Sequence, residues 1–207
     1  MYARTTTVRG DPQAMDEGIG YVRDSVWPTL QRMSGCVGLS MLTDRDAGRC
    51  IVTSAWAADE AMRASAEMVR EVRHQTAEVL RADTVLIEEW EIAAMHRMHA
   101  TGDGACARVI WAQCEPGQLD AMIDAFRMSL QPRFEDLPGF CSVSLMVDRN
   151  TGRTSAAITY ESRNAMDRSR EQGAAMREEF AGAMHSMITE VADFDVALAH
   201  LRVPEMA

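Results

Sequence analysis

The stretch DRDAGR at positions 44–49 returns as DRNTGR at 148–153, an offset of 148 − 44 = 104 residues. Sliding the chain by that offset aligns Ala3 with Ala107 and His96 with His200 without one insertion or deletion. A gapless self-match of that extent points to a whole structural unit used twice. Along it Pro12 meets Pro116, Pro28 meets Pro132, Gly35 meets Gly139 and Gly48 meets Gly152. Ala61-Met62 meets Ala165-Met166, Ser65 meets Ser169, and Arg73 meets Arg177.

Each copy carries the same succession of signals. Residues 3–9 suit a strand, and Asp11-Pro12 is a capping residue followed by proline at a first helical position. Glu115-Pro116 repeats the pattern. Apolar residues then recur at helical spacing, at Met15, Ile19, Val22, Val26 and Leu30 and at Leu119, Ile123, Phe126, Leu130 and Phe134. Pro28 and Pro132 fall late in these helices, where a missing amide should loosen the last turns. Two β-rich runs follow, joined by the repeated turn, in which Gly48 and Gly152 supply a positive φ. That need explains why the turn is written twice. A second helix is predicted from about Asp59 to Leu80, with its counterpart starting near Ser162, and a final strand ends each copy.

The order β-α-β-β-α-β, twice over, is the ferredoxin-like split unit. The expected fold class is α+β, two ferredoxin-like units fused in tandem and forming an intrachain barrel of the dimeric type, because each unit alone leaves one sheet face bare. The expected boundaries are residues 1–98 for the first unit, 99–106 for a glycine-containing linker and 107–207 for the second. A pseudo-dimer within one chain is expected to be a monomer in dilute solution, with further dimerisation open.

Composition narrows the function. A formal net charge of −10 repels phosphate backbones and anionic lipid, so neither nucleic acid nor membrane is an expected partner. All 21 basic residues are arginine. Without lysine there is no Schiff-base chemistry, no pyridoxal phosphate attachment and no Walker-type phosphate loop. No G-x-G-x-x-G follows a strand-like run, so the dinucleotide fingerprint is missing. The five cysteines, odd in number and without C-x-x-C spacing, suit reduced, buried side chains and no metal site. Neither a bilayer-length apolar run nor a signal-like N-terminus is present, which suggests a cytoplasmic protein.

The segments GCVGLSMLTDRDAGRCIVTSAWAADEAM and GFCSVSLMVDRNTGRTSAAITYESRNAM resemble the antibiotic-biosynthesis monooxygenase family of the dimeric α+β barrel superfamily. The resemblance implies a cofactor-independent monooxygenase that joins O₂ to a small aromatic or quinol-like metabolite. A hydrophobic small-molecule-binding module without catalysis is the alternative, and a haem-binding or haem-degrading protein a third. The haem-degrading members carry an Asn on the first strand and a Trp and a His on the second helix. Here the chain's asparagines are Asn150 and Asn164, the Trp position falls near Ser65 and Ser169, and the His position near His74 and Glu178. No cofactor is therefore expected.

Cofactor-free oxygenation needs a dry pocket, a base and a donor to steady the reduced oxygen. His96 and His200 are the candidate catalytic bases, since alternation puts each at the end of an apolar strand stripe. The structural alternative is a histidine hydrogen-bonded near a sheet end. Trp56 and Tyr160, at equivalent places, and Trp111, which aligns with Thr7, are candidate substrate-binding residues; Trp56 and Tyr160 suit a core role equally. The 16 methionines suit core filling better than a pocket. The pairs Glu88-Glu89 and Glu178-Glu179 are expected on solvated faces.

Overall fold

The computed structural model of the chain describes residues 1–201. The first repeat runs β1 (Tyr2–Arg9), α1 (Met15–Tyr21), α2 (Trp27–Gln31), β2 (Cys36–Asp44), β3 (Arg49–Trp56), α3 (Asp59–Ala64), α4 (Ala66–Val79) and β4 (Thr84–Arg97). The second runs β5 (Cys106–Gln113), α5 (Leu119–Ala125), β6 (Phe140–Asp148), β7 (Arg153–Tyr160), α6 (Arg163–Arg168), α7 (Arg170–Ala183) and β8 (Met187–Leu201). The first, second and third strands and the paired helices of the two repeats begin and end at residues 104 apart. So do the positive-φ residues Gly35 and Gly139, Gly48 and Gly152, and Arg81 and His185.

In hydrogen-bonded order the strands run β1-β3-β2-β8-β5-β7-β6-β4 and close as a barrel, within which each repeat keeps the ferredoxin-like order of its own four strands. The α+β class is as expected. The chain clusters into two compact units, and each changes over inside a strand. Unit 1 takes Met1–Trp90 with the segment from Val196, and unit 2 takes Glu91–Asp195. The last strand of each repeat is therefore long enough to begin in one unit and end in the other. In unit 2 the end of β4 pairs with β6, from Glu91 opposite Val147 to Arg97 opposite Ser142.

Local chemistry explains the elements. Asp11 caps as expected, its side chain accepting from the Gln13 amide, whereas Glu115 makes no such bond. Both first helices widen before their prolines: the Trp27 amide reaches back to the Val22 carbonyl and the Gln131 amide to Phe126, five residues away. A proline at the next position has no N–H to continue the normal ladder. After Pro28 the chain resumes α2; after Pro132 it tightens into a 3₁₀ turn over Gln131–Asp136. The predicted single helix from Asp59 to Leu80 is divided at Ser65, and its counterpart at Ser169, each hydroxyl donating to a carbonyl three residues back, on Met62 and Met166. Helices and strands of unit 1 bury Met15, Val22, Leu39, Met41 and Met62 together; those of unit 2 bury Leu119, Phe126, Phe134, Leu145 and Met166. Among the described residues no helix is long and apolar enough to cross a membrane.

Gly152 shows why the repeated turn needs glycine. Its φ is +75°, and a Cβ there would run into the Cys114 carbonyl oxygen. Gly20, by contrast, lies in α1 with nothing within 4 Å of where its Cβ would be. Gly152→Ala should therefore lower stability by about 2 kcal/mol or more, roughly 4–8 °C in Tm for a chain this long. Gly20→Ala should raise stability by ~0.5–1 kcal/mol. Thermal melting of the two variants checks both signs.

Candidate functional site

The first strand of each repeat carries an arginine into the interior. Arg4 is 4% exposed and makes four hydrogen bonds: Nε and Nη2 donate to Glu89 Oε1 at 3.0 and 2.7 Å, Nη1 to Ser65 Oγ at 3.0 Å, and Nη2 to the Met62 carbonyl at 2.9 Å. Arg108, at the equivalent position, forms a two-point pair with Asp193, Nε to Oδ1 at 2.7 Å and Nη2 to Oδ2 at 2.9 Å. The carboxylates also correspond, since 193 − 89 = 104. Glu89, expected on a solvated face, is exposed at 45% and at the same time serves as the counter-charge of a buried guanidinium.

A second arginine stands near each of these pairs. Arg73 on α4 and Arg177 on α7 are half-buried, and among the described residues neither makes a hydrogen bond or an ion pair. Burial pushes the Arg73 guanidinium below its ordinary pKa, the charge of Arg4 adds to that, and Glu89 opposes it. Burial and then Arg108 do the same to Arg177. In unit 1 two guanidinium groups thus stand at one carboxylate, Glu89, while in unit 2 Arg170 also donates to Asp193, at 3.1 Å, beside Arg108.

Each unspent guanidinium lines a cavity between its helices and its sheet. The unit 2 cavity, about 70 Å³, is walled by Phe126, Phe134, Phe180, Ile110 and Ile158, with Arg177 as its one charged group. Its rings interlock, Phe126 lying 6.1 Å from Phe134 and 6.2 Å, edge to face, from Phe180. Cys114 also lines it, and burial raises the pKa of that thiol. The unit 1 cavity, about 50 Å³, has Thr6, Ser54 and Thr76 where the other has Ile110, Ile158 and Phe180.

The candidate residues fall around these cavities in different ways. Trp56 is fully buried and its Nε1–H donates to Ser54 Oγ at 3.1 Å. Tyr160 is equally buried; burial raises its pKa, while a hydrogen bond to Ser169 and the charge of Arg108 oppose the rise. Both aromatic tips are thus partnered inside their own units. Trp111 is half-buried with its ring edge-on to Phe194 at 6.4 Å, whereas its neighbours Ile110 and Ala112 line the cavity, as alternation along β5 requires.

His96 and His200 line neither cavity. Each sits at the end of a long strand, in the unit of the other repeat. His96 Nε2 is 2.9 Å from Glu135 Oε1 and its ring stacks on Phe140 with centroids 6.2 Å apart. His200 is exposed and lies parallel to Trp27 at 5.2 Å. His74, the one histidine near the haem-ligand position, is 68% exposed and faces Glu78 at 3.4 Å, outside the cavity of its unit. That surface position does not suit an axial ligand of a buried porphyrin. Among the described residues no group of three or more His, Cys, Asp or Glu gathers to hold a metal ion.

The arginine, acid, serine and second arginine escaped the sequence reading as a set. Ser65/Ser169 and Arg73/Arg177 are identical pairs in the alignment, but they lie far from Arg4 and Glu89 in sequence. The signal available was the coincidence of Arg4 with Arg108 and of Glu89 with Asp193 at the same offset.

Solved structures with this architecture include an anthrone oxidase-like protein, with a TM-score of 0.66 at 13% identity over 97% of this chain and 90% of that one. A ferredoxin-fold protein related to antibiotic biosynthesis monooxygenases from Listeria monocytogenes superposes with a TM-score of 0.54 at 7% identity, over 94% of each chain. The heme-degrading enzyme LmHde, also from Listeria monocytogenes, gives 0.54 at 9% identity over 94% of this chain and 99% of that one. At such identities the likeness defines the fold alone. No family model matches the sequence. The chain is 46% identical over 206 residues to uncharacterized protein Rv2557 of Mycobacterium tuberculosis, covering 100% of this chain and 92% of that protein. It is 44% identical over 207 residues to uncharacterized protein Rv2558 of the same organism, covering 100% of this chain and 87% of that one. The chain belongs to the family of these two mycobacterial proteins.

The Arg108–Asp193 pair has a measurable consequence. Burial raises the Asp193 pKa, but the hydrogen bond and charge of Arg108, helped by Arg170, outweigh it and hold the carboxyl below its ordinary value. A depressed pKa contributes stability above the unfolded carboxylate range, near ~3.9, that is lost as pH falls through the folded value. Asp193→Asn should cost about 3 kcal/mol at neutral pH by leaving a buried guanidinium without its counter-charge. It should also flatten the fall in melting temperature below pH ~4. Melting curves across pH for wild type and variant check both effects.

Proposed function

We propose that the chain is an oxygenase that works without a bound cofactor and takes a small electron-rich phenol or quinol of one ring into the cavity of unit 2. The observation that carries this is a cavity walled by phenylalanine rings with one unpaired guanidinium, Arg177, in its lining. Phenylalanine walls suit a flat aromatic body. A cation in a desolvated wall favours the ionised form of a phenol or enol over the neutral one. Ionisation is the step that makes such a molecule electron-rich enough to reduce O₂. For a phenol the balance closes with no other reactant: the ring C–H carbon para to the hydroxyl becomes a carbonyl with one oxygen atom of O₂, the hydroxyl carbon becomes the second carbonyl, and the other oxygen leaves with the two hydrogens as water. Arg177 would hold the phenolate oxygen and the phenylalanines would exclude water. The fold shared with an anthrone oxidase-like protein supports the same chemistry.

A specific observation favours a second reading, binding without turnover. Arg177 is a poor base, the buried Cys114 thiol is hard to ionise, and neither His96 nor His200 lines the cavity. In the oxygenase reading the proton then leaves to solvent while Arg177 steadies the anion. His96 and His200 keep a role as bases only for a substrate that reaches beyond the cavity.

The test is oxygen uptake over a panel of one-ring phenols and hydroquinones, with and without a chelator. Wild type should consume O₂ in both conditions, and Arg177→Gln should lose activity by roughly 10²-fold, as expected for removal of one charged stabilising group. A loss confined to His96→Ala or His200→Ala would move the base role to that histidine. Binding of the aromatics with no uptake by wild type would replace the oxygenase with the binding module. Haem titration should give no tight complex dependent on His74.

A further inference from the structure

Unit 1 holds a cavity at the same place in its fold, but its chemistry has diverged. Most of its hydroxyls are already occupied. Ser54 Oγ donates to the Arg4 carbonyl at 3.4 Å and accepts from Trp56, Thr76 Oγ1 donates to the Val72 carbonyl at 2.7 Å, and Thr29 Oγ1 to the Ser25 carbonyl at 2.8 Å. Arg4 is engaged by Glu89, Ser65 and Met62 through four of its five donors. Two donors in the lining remain without a partner among the described residues, the hydroxyl of Thr6 and the guanidinium of Arg73. The rest of the wall is branched aliphatic, from Val26, Leu30, Val52 and Val69.

We infer that the unit 1 cavity is a second ligand site, built for a small monocarboxylate with a short branched alkyl body, its carboxylate held by Arg73 and Thr6. The sign follows from charge. Arg4 and Arg73 face one carboxylate, Glu89, so the site carries one positive charge that a monoanion neutralises. The head group follows from geometry, since the planar fork of a guanidinium matches a carboxylate and the threonine adds one neutral donor. The body follows from the wall and the volume. A cavity of about 50 Å³ holds roughly four water-sized groups at ~10–15 Å³ each, enough for a branched four-carbon tail and too small for a fused ring system. Valine and leucine walls suit an aliphatic tail, whereas the rings of unit 2 suit an aromatic one. In unit 2 the residue at the Thr6 position is Ile110, so the donor pair exists in unit 1 alone. This site is independent of the oxygenase reading, because it uses neither unit 2 nor O₂.

The experiment is isothermal titration calorimetry of the full chain with 3-methylbutanoate, carried into the millimolar range, beside the isosteric neutral 3-methylbutanamide. The acid should bind one to one and the amide at least about tenfold more weakly, the factor set by a charge-assisted hydrogen bond. Arg73→Gln should weaken the acid by about tenfold or more, Thr6→Val by a few-fold, and Arg177→Gln should leave it unchanged. Equal binding of acid and amide, unchanged binding by Arg73→Gln, loss on Arg177→Gln, or no binding by wild type would each overturn the proposal. Melting temperatures are read for every variant. If Arg73→Gln melts early, Arg73→Lys replaces it: the charge without the fork should bind more weakly than wild type and more tightly than Thr6→Val/Arg73→Lys combined, and equal binding by all three would count against the site.

Discussion

Arg4 and Arg108 set the interior of the two units. A guanidinium cannot be left buried without its donors and its charge answered, so each forces a set of partners into place. For Arg4 those partners are Glu89 on β4, the Ser65 hydroxyl and the Met62 carbonyl. The contact ties the first strand to the last strand and to the break between α3 and α4. The same break stands at Ser169 in unit 2, where among the described residues Arg108 bonds to Asp193 alone, so the break belongs to the repeat and Arg4 makes use of it. Asp193 answers Arg108 in the same way, with Arg170 at the start of α7 as a further partner at 3.1 Å.

What each arginine leaves over is the chemistry of the site. Once the carboxylate is committed to the first arginine, the second one, Arg73 or Arg177, faces its cavity with positive charge to spare. The two units keep this arrangement and change what surrounds it. Threonine and serine at three positions of unit 1 become isoleucine and phenylalanine in unit 2, and the wall goes from branched aliphatic to aromatic. A shared cation with dissimilar walls is the expected outcome when one scaffold serves two ligands, since the charge sets the class of head group and the wall sets the body.

The histidines illustrate a different consequence of the topology. Because β4 and β8 outrun their own units, the ends of these strands belong to the unit of the other repeat. Identical residues at the offset of 104 meet non-identical neighbours there because the facing positions differ between the repeats: His96 meets Glu135 and Phe140, where the first repeat has Gln31 and Cys36, and His200 meets Trp27, where the second has Gln131. Identity along the alignment does not confer an identical environment on residues at strand ends.

The succession of strands and helices was legible in sequence because its signals are local. Gly48 and Gly152 announce a turn by their need for positive φ, Asp11-Pro12 announces a helix start, and the apolar spacing of Met15, Ile19 and Val22 announces a helix face. The offset of 104 then carried the reading from one half of the chain to the other. The break at Ser65, the pairing of Glu89 with Arg4 and the placing of Trp56 and Tyr160 in the core were not legible, since each depends on residues far apart in the chain. The accessible position of Glu89 was legible, but not that it also answers a buried arginine on a distant strand. Sequence by itself thus determined the ferredoxin-like elements and their repetition. Only tertiary structure decided which arginines are paired, which face a cavity, and which walls surround them, because burial and charge compensation are settled by contacts that no local pattern encodes.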